Sequence, residues 1–411
     1  MNRRNCLQIL GAGMMTLQGC KFQPVESVIN PCYEPLLPTW LANHNVILSA
    51  LAGLDPDLLW DGHVHLIGTG DSNNGIWINP DLRSFLHPVQ YAQFGFFTNG
   101  ACANTAAVDN SYIRRLINLH GQMPGGMRLL LLAFDYTYDK QGRRRPDLSA
   151  FYTPNSYASR LAHTYPEIFD WIASIHPYRK DCVAKLQDVV ASGARAIKWL
   201  PPAMGIDPGS PLCDRFYEAL AKYDIPLLTH AGEEQAVHGA NRQEFGNPLL
   251  LRRPLEHGVR VIVAHCASLG QSRDIDAGHN GKLMPAFDLF SRLMQEARYE
   301  GLLFGEISAL TQSNRLGKPL NTVITRTDWH SRLINATDYP LPGVMPLFSM
   351  SKMIKYGYID QQQASVLTEV RKYNALLFDL VLKRHLQVDG VRFSPIVFHS
   401  RRLFDKTNSL F

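Results

Sequence analysis

Short apolar runs alternate with amphipathic helical patterns along most of the chain, and this rhythm limits the fold more than any other feature. Apolar runs occupy residues 127–134, 169–175, 194–200, 225–229, 259–264, 302–307 and 333–336. They are near-continuous rather than alternating, as expected of strands covered on both faces. Between them, residues 179–192, 214–223, 249–257, 285–299 and 322–332 read as helices. Apolar side chains there recur at three- and four-residue spacing, as in Phe216, Tyr217 and Leu220, or Phe287, Phe290 and Met294. Gly193, Gly258 and Gly301 stand just past three of these helices, where a left-handed residue ends the turn. Further helices are predicted at 104–122 and 362–385. Strands alternating with helices are parallel, each needing a crossover. With an earlier strand around Asp61-Gly62-His63-Val64-His65, the count is eight units, the size of a (β/α)8 or TIM barrel. An open doubly wound sheet competes, but it would carry a glycine-rich phosphate turn after its first strand. Here that strand ends in His-x-His.

A strand's period of two puts His63 and His65 on one face, where two imidazoles can reach one metal ion. Two such histidines alone are equally what an ordinary surface or core strand can show. The ends of the later runs change their meaning. Lys198, His230, His265, Glu306 and Asp338 follow one another at intervals of 32, 35, 41 and 32 residues. A barrel of eight units advances roughly 31 residues per unit. These residues therefore fall at equivalent C-terminal strand positions, the rim where barrel enzymes hold their chemistry. Four histidines, an aspartate and a lysine at one rim would leave ionisable groups uncompensated without a metal or tight pairing.

Taken together, these residues resemble the amidohydrolase superfamily. The likeness is carried by Asp61-x-His63-x-His65, Thr229-His230-Ala231-Gly232-Glu233, Ala264-His265-Cys266, Thr337-Asp338-Tyr339-Pro340 and Asn374-Ala375-Leu376-Leu377-Phe378. It spans about residues 55–385 and is nearest the branch that includes aminocarboxymuconate-semialdehyde decarboxylase. The resemblance implies that His63, His65, His230 and Asp338 hold one or two divalent ions, zinc being the expected metal. It implies that Asp338 also takes a proton from water activated by the metal. His265 would bind a second ion or polarise the substrate and transfer a proton. Lys198 would join the ligands if carboxylated; a plain ammonium there would need a carboxylate such as Glu306 beside it. His176, Glu233 and Glu306 are expected to touch substrate or support the ligands, although His176 reads equally well as a hydrogen-bonded structural residue. Glu234 and His238 would shape the pocket. The implied reaction is hydrolysis of an amide, lactone or ester-like bond in a small molecule. The alternative is non-oxidative decarboxylation of an unsaturated or aromatic acid. A third reading, a non-catalytic ligand-binding lipoprotein, sits poorly with a complete ligand set.

The composition is globular, 45% hydrophobic and 19% charged, and a net charge of +5 comes with no basic stripe of the kind nucleic acid requires. At the N-terminus, Arg3-Arg4 precede an uncharged stretch at 7–17 that is too short to span a bilayer. This resembles a twin-arginine export signal. Leu17-Gln18-Gly19-Cys20 resembles a lipobox, with Gln18 where a small residue is usual. The expected division is a signal peptide at 1–20, a lead-in at 21–54, the barrel at 55–388 and a tail at 389–411. The expected location is the periplasmic face of a bacterial membrane, held only by a lipid at Cys20. The remaining cysteines, Cys32, Cys102, Cys182, Cys213 and Cys266, contain no Cys-x-x-Cys and leave room for one disulfide without choosing its pair. Residues 68–103, rich in Gly, Asn and Pro, form an unusually long first connection and are expected to act as a lid. Arg83, His87, Tyr178, Arg179 and Arg315 are available to hold a substrate carboxylate. Neither the substrate nor the oligomeric state is legible.

Overall fold

The fold is that of a computed structural model describing residues 28–33, 36–278 and 280–405; the export signal and Cys20 lie outside the described residues. Eight parallel strands organise it: β1 (Trp60–His65), β2 (Arg128–Leu132), β3 (Phe169–Ile172), β4 (Ile197–Trp199), β5 (Leu227–His230), β6 (Val261–Ala264), β7 (Leu303–Glu306) and β8 (Leu333–Ile334). They form two arcs, β1-β2-β3 and β4-β5-β6-β7-β8. Single parallel bridges join the arcs at both edges, Ala173 to Ile197 and Val64 to Tyr339. Backbone hydrogen bonds support each seam, Lys198 N to Ala173 O at 2.7 Å and His65 N to Tyr339 O at 3.0 Å. The register keeps the C-terminal ends level, with His230 opposite Ala264 and Glu306 opposite Ile334.

One buried apolar cluster draws a side chain from every strand or its flank: Trp60, Leu130, Ile172, Ala196, Leu228, Ile262, Phe304 and Ile334. Leu403 and Phe404, from the expected tail, complete it. A Cβ on Gly62 would stand 2.7 Å from the Phe404 ring, so a glycine admits that plug. The period of two then dictates what lies above this layer. Two residues past Ala196 comes Lys198, past Leu228 comes His230, and past Phe304 comes Glu306. The intervening residues face outward; Trp199 packs on Phe216 and Tyr217, with ring centroids 5.6 and 5.7 Å away. The apolar layer and the polar rim thus follow from one alternation.

Five helices stand where the apolar spacing predicts them, trimmed at their ends: Val108–His120, Cys182–Ala191, Asp214–Lys222, Arg252–Glu256 and Ala286–Met294; the helix expected at 322–332 instead runs Lys318–Thr325, and Thr327–Arg332 is a 3-10 segment. Two differences have physical causes. The long closing helix breaks into Gln361–Tyr373 and Ala375–His385 because Asn374 caps the second, its side chain accepting from the amides of Leu376 and Leu377 at 3.0 Å each. The expected lid is not merely loop. It contains a helix, Pro88–Gly100, and a short strand, Trp77–Ile78, paired antiparallel with Phe151–Tyr152. A disulfide between Cys32 and Cys102, Cα atoms 5.5 Å apart, ties the lead-in to the end of that helix. Asn30 reinforces the tie, donating to Asn99 Oδ1 at 2.9 Å and to Gly343 O at 3.1 Å.

Candidate metal centre

His63 and His65 do share a face, with ring centroids 5.0 Å apart. Both turn toward Asp338, which arrives from beyond β8 with a left-handed backbone, φ 58°. Its Oδ1 lies 3.0 Å from His65 Nε2 and 3.4 Å from His63 Nε2, and its Oδ2 lies 3.6 Å from His265 Nε2. One ligating atom from each of His63, His265 and Asp338 falls within 4.8 Å of the others. His265 leaves β6 through three successive left-handed residues, His265, Cys266 and Ala267, with φ between 49° and 56°. Such backbone costs on the order of 1 kcal/mol per non-glycine residue and collects where function requires a particular side-chain direction.

The hydrogen bonds around the imidazoles fix which nitrogen faces the centre. His63 Nδ1 donates to Glu306 Oε2 at 3.0 Å, leaving the Nε2 lone pair inward. Glu306 is itself held by the hydroxyl of Ser308 at 2.8 Å and by the Ser308 amide. His265 Nδ1 donates to Ser308 Oγ at 2.8 Å, again leaving Nε2 toward Asp338. His230 Nδ1 stands 3.6 Å from Glu234 Oε2, and its buried Nε2 has no hydrogen-bond partner among the described residues. Below, Asp61 accepts from the Thr337 amide at 2.9 Å and the Thr337 hydroxyl at 2.5 Å, so the Asp338 turn hangs on β1. Lys383 donates to Asp379 and to Ala336 O, both at 2.6 Å, and its charge favours the ionised form of Asp61.

Burial dominates the electrostatics. It pulls His63 and His265 well below the usual histidine range and His230 down to about 3, so all three stay neutral and keep a lone pair for a cation. Burial also raises Asp61 to about 6 and lifts Glu306, whose Ser308 hydrogen bonds oppose the shift. Lys198 is lowered by the same desolvation, against the pull of Asp338 and Glu306. Its Nζ donates to His63 Nε2 at 3.0 Å. That lone pair can serve the ammonium or a metal ion, not both. Imidazoles and a carboxylate form a donor set suited to zinc, manganese or iron, and the unpartnered His230 nitrogen fits a further ligand.

The structure therefore gathers His63, His65, Lys198, His230, His265, Glu306 and Asp338 at one rim. His176 is elsewhere: fully buried, with Nε2 on Met204 O at 3.0 Å and Nδ1 accepting from the Tyr178 amide at 3.2 Å. Glu233 accepts from Gln235 at 3.0 Å, and its neighbour Glu234 is the carboxylate beside His230. Of the five residues available for a substrate carboxylate, Arg179 is taken by Asp135 and Asp181, His87 pairs with Asp81, and the Tyr178 hydroxyl accepts from Asp207 N. Arg83 is exposed on the short turn Pro80–Arg83, and Arg315 is enclosed, its Nη1 donating to Ser268 Oγ at 2.9 Å. The sequence assigns no role to Ser308, to Thr337 or to the Asp379–Lys383 pair. A charged i,i+4 pair inside the otherwise apolar Ala375–His385 was the available signal.

A parallel βα architecture with such a rim defines a class of metal-dependent barrel enzymes. The sequence model of the Amidohydrolase family matches residues 127–342, more than half of the chain. The chain belongs to this amidohydrolase family, whose members are metal-dependent enzymes. No curated protein matches it. Similar solved structures include an uncharacterised TIM-barrel protein from Bordetella bronchiseptica, 13% identical, covering 75% of this chain and 93% of that one, at a TM-score of 0.46. Another is a probable 2-pyrone-4,6-dicarboxylic acid hydrolase from Acinetobacter baumannii, 14% identical, covering 78% and 97%, at 0.43. A third is a 2,6-dihydroxybenzoate decarboxylase from Rhizobium, 14% identical, covering 78% and 98%, at 0.40.

Proposed function

We propose that the eight strands act as one (β/α)8 barrel carrying a metal-dependent hydrolase, which cleaves an amide, lactone or ester-like bond of a small molecule. His63, His65, His230 and Asp338 would hold the ion, zinc being the expected one. The observation that carries this reading is the convergence of three imidazole Nε2 atoms on Asp338, 3.0 to 3.6 Å away, with the unpartnered His230 nitrogen beside them. A divalent cation bound there supplies Lewis acidity to water and to a carbonyl oxygen. Asp338 presents both oxygens to the centre, so it can accept a proton from the attacking water and pass it to the leaving group. His265, neutral and anchored on Ser308, presents Nε2 to the same space and polarises the bond or relays that proton. Glu306 keeps His63 in its ligating tautomer. Lys198 donates to His63 Nε2 as an ammonium; carboxylated by carbon dioxide, it would release that lone pair and join the residues that hold the metal.

Non-oxidative decarboxylation draws on the same side chains and is the second reading. A panel of amides, lactones, esters and unsaturated or aromatic acids, with Zn²⁺ or Mn²⁺ added and carbon dioxide monitored, separates the two. Metal analysis of His63→Ala and Asp338→Ala tests the centre itself. Both variants should lose bound metal and activity together. Full activity in either one would refute the assignment. The Cys32–Cys102 disulfide supports export, since such bonds persist in oxidising compartments.

A further inference from the structure

We propose that Asp379 and Lys383, a buried ion pair in the helix Ala375–His385, are positioning residues that aim Asp338 at the centre by holding the strand end just before it. This rests on reading the rim as a metal centre. The strand end needs outside support. The last paired residue of β8 is Ile334, opposite Glu306, and the seam to β1 closes only at the bridge between Val64 and Tyr339. Between these points the chain is held by groups from elsewhere. Asn335 N donates to Val397 O at 2.7 Å, and Asn335 O accepts from Ser400 Oγ at 3.0 Å. Ala336 O accepts from Lys383 Nζ at 2.6 Å, and the Thr337 amide donates to Asp61 Oδ1 at 2.9 Å. Asp338 follows at once in left-handed backbone, φ 58°. A buried carbonyl that loses its donor turns to find another. At Ala336 that turn would carry Asp338, two residues on, away from the imidazoles.

Stability is a poor explanation for the pair. Both side chains are 1% exposed, and Asp379 Oδ1 has no hydrogen-bond partner among the described residues. Taking two charges out of water often costs as much as their attraction returns, and apolar residues of similar volume commonly serve a fold as well or better. Here they would extend the buried apolar run of Leu376, Leu377, Phe378, Leu380, Val381 and Leu382. What they could not do is donate to Ala336 O.

The division of labour within the pair follows from charge. Lys383 reaches the strand end, and Asp379, one helical turn earlier, accepts from the same Nζ at 2.6 Å. The carboxylate fixes the ammonium in place and cancels its charge. A lone ammonium beside the site would repel a divalent ion, whereas the pair braces the backbone without adding net positive charge.

The test sets zinc affinity, read by competition with a chromophoric chelator, against thermal melting of the metal-free protein. D379L/K383M should melt at or above the wild-type temperature, yet bind zinc about tenfold more weakly. In a D338N background the same double substitution should leave zinc affinity almost unchanged, because its effect is routed through Asp338. If D379L/K383M does not fold, D379N/K383Q supplies the comparison: the pair stays polar and neutral, and the shorter side chain at 383 stops short of Ala336 O. Crystals of the metal-free double variant give a readout that needs no ion, since the Asp338 carboxylate should leave His65 Nε2, 3.0 Å away in the wild type. A folded variant with wild-type zinc affinity overturns the proposal, as does an equal loss in the D338N background or an unmoved Asp338. A wild type that takes up no zinc sinks the metal reading alone, and the Asp338–His65 distance then decides the role of the pair.

Discussion

Glu306→Gln removes one formal charge and almost no volume, yet it should weaken metal binding ten- to a hundredfold. The carboxylate accepts three hydrogen bonds: from His63 Nδ1 at 3.0 Å and Ser308 Oγ at 2.8 Å on Oε2, and from the Ser308 amide on Oε1. Three donors suit a carboxylate, which only accepts. An amide must place its NH2 group on one side. Against the Ser308 amide, donor meets donor and a buried N–H goes unpaired, at about 1–3 kcal/mol. Turned toward His63, the NH2 makes Nδ1 an acceptor and moves the imidazole proton to Nε2, the atom that should hold the ion. Either arrangement also exchanges a charge-assisted bond for a neutral one, a loss of about 1 kcal/mol. The two terms together come to about 2–4 kcal/mol; part of this also destabilises the metal-free site, and the share expressed in affinity should match the roughly ten- to a hundredfold found for partners that orient metal-bound histidines. Competition against a chromophoric zinc chelator at pH 7.5 reads this directly, and thermal melting of the metal-free variant shows whether the fold survives. A folded E306Q with wild-type zinc affinity would refute both the tautomer argument and the placement of the ion at His63 Nε2.

Three further predictions concern the scaffold. The Cys32–Cys102 bond closes a loop with a sequence separation of 70, so its loss should cost up to about 4 kcal/mol by chain entropy; comparing melting with and without reductant, or C32S with wild type, measures it. Burial draws His176 down to about 3, so the folded state keeps it neutral while the unfolded chain binds a proton below about 6.5. Its share of stability is therefore lost as pH falls, about 2 kcal/mol between pH 7 and 5, and urea unfolding of H176N should show a shallower pH slope than wild type. Gly343→Ala would put a Cβ 2.0 Å from Gly100 O; it should destabilise by about 1–3 kcal/mol and speed hydrogen exchange at the end of the lid helix, and wild-type exchange there would argue against this contact.

What could be read from the chain divides along physical lines. The strands were legible because Val261–Ala264 or Leu227–His230 must be apolar on both faces, and the rim was legible because polar residues cannot interrupt such runs without cause. The lid helix Pro88–Gly100 was not. Only Thr98 and Gly100 are buried in it, so it has no apolar stripe to announce it, and Gly95 sits in its middle. Nor was the break at Asn374, because the apolar spacing continues through it and only the cap chemistry marks it. Arg315 illustrates the deeper limit. The chain offers it only as one of five residues available for a substrate carboxylate. The fold alone shows that it is enclosed, with Nη1 donating to Ser268 Oγ at 2.9 Å. Ligands at strand ends are placed by a local period and can be counted from the sequence. A residue that recognises substrate is placed by how separate loops fold over one another, which no local spacing encodes, so the loops around the rim are where specificity must be sought by experiment.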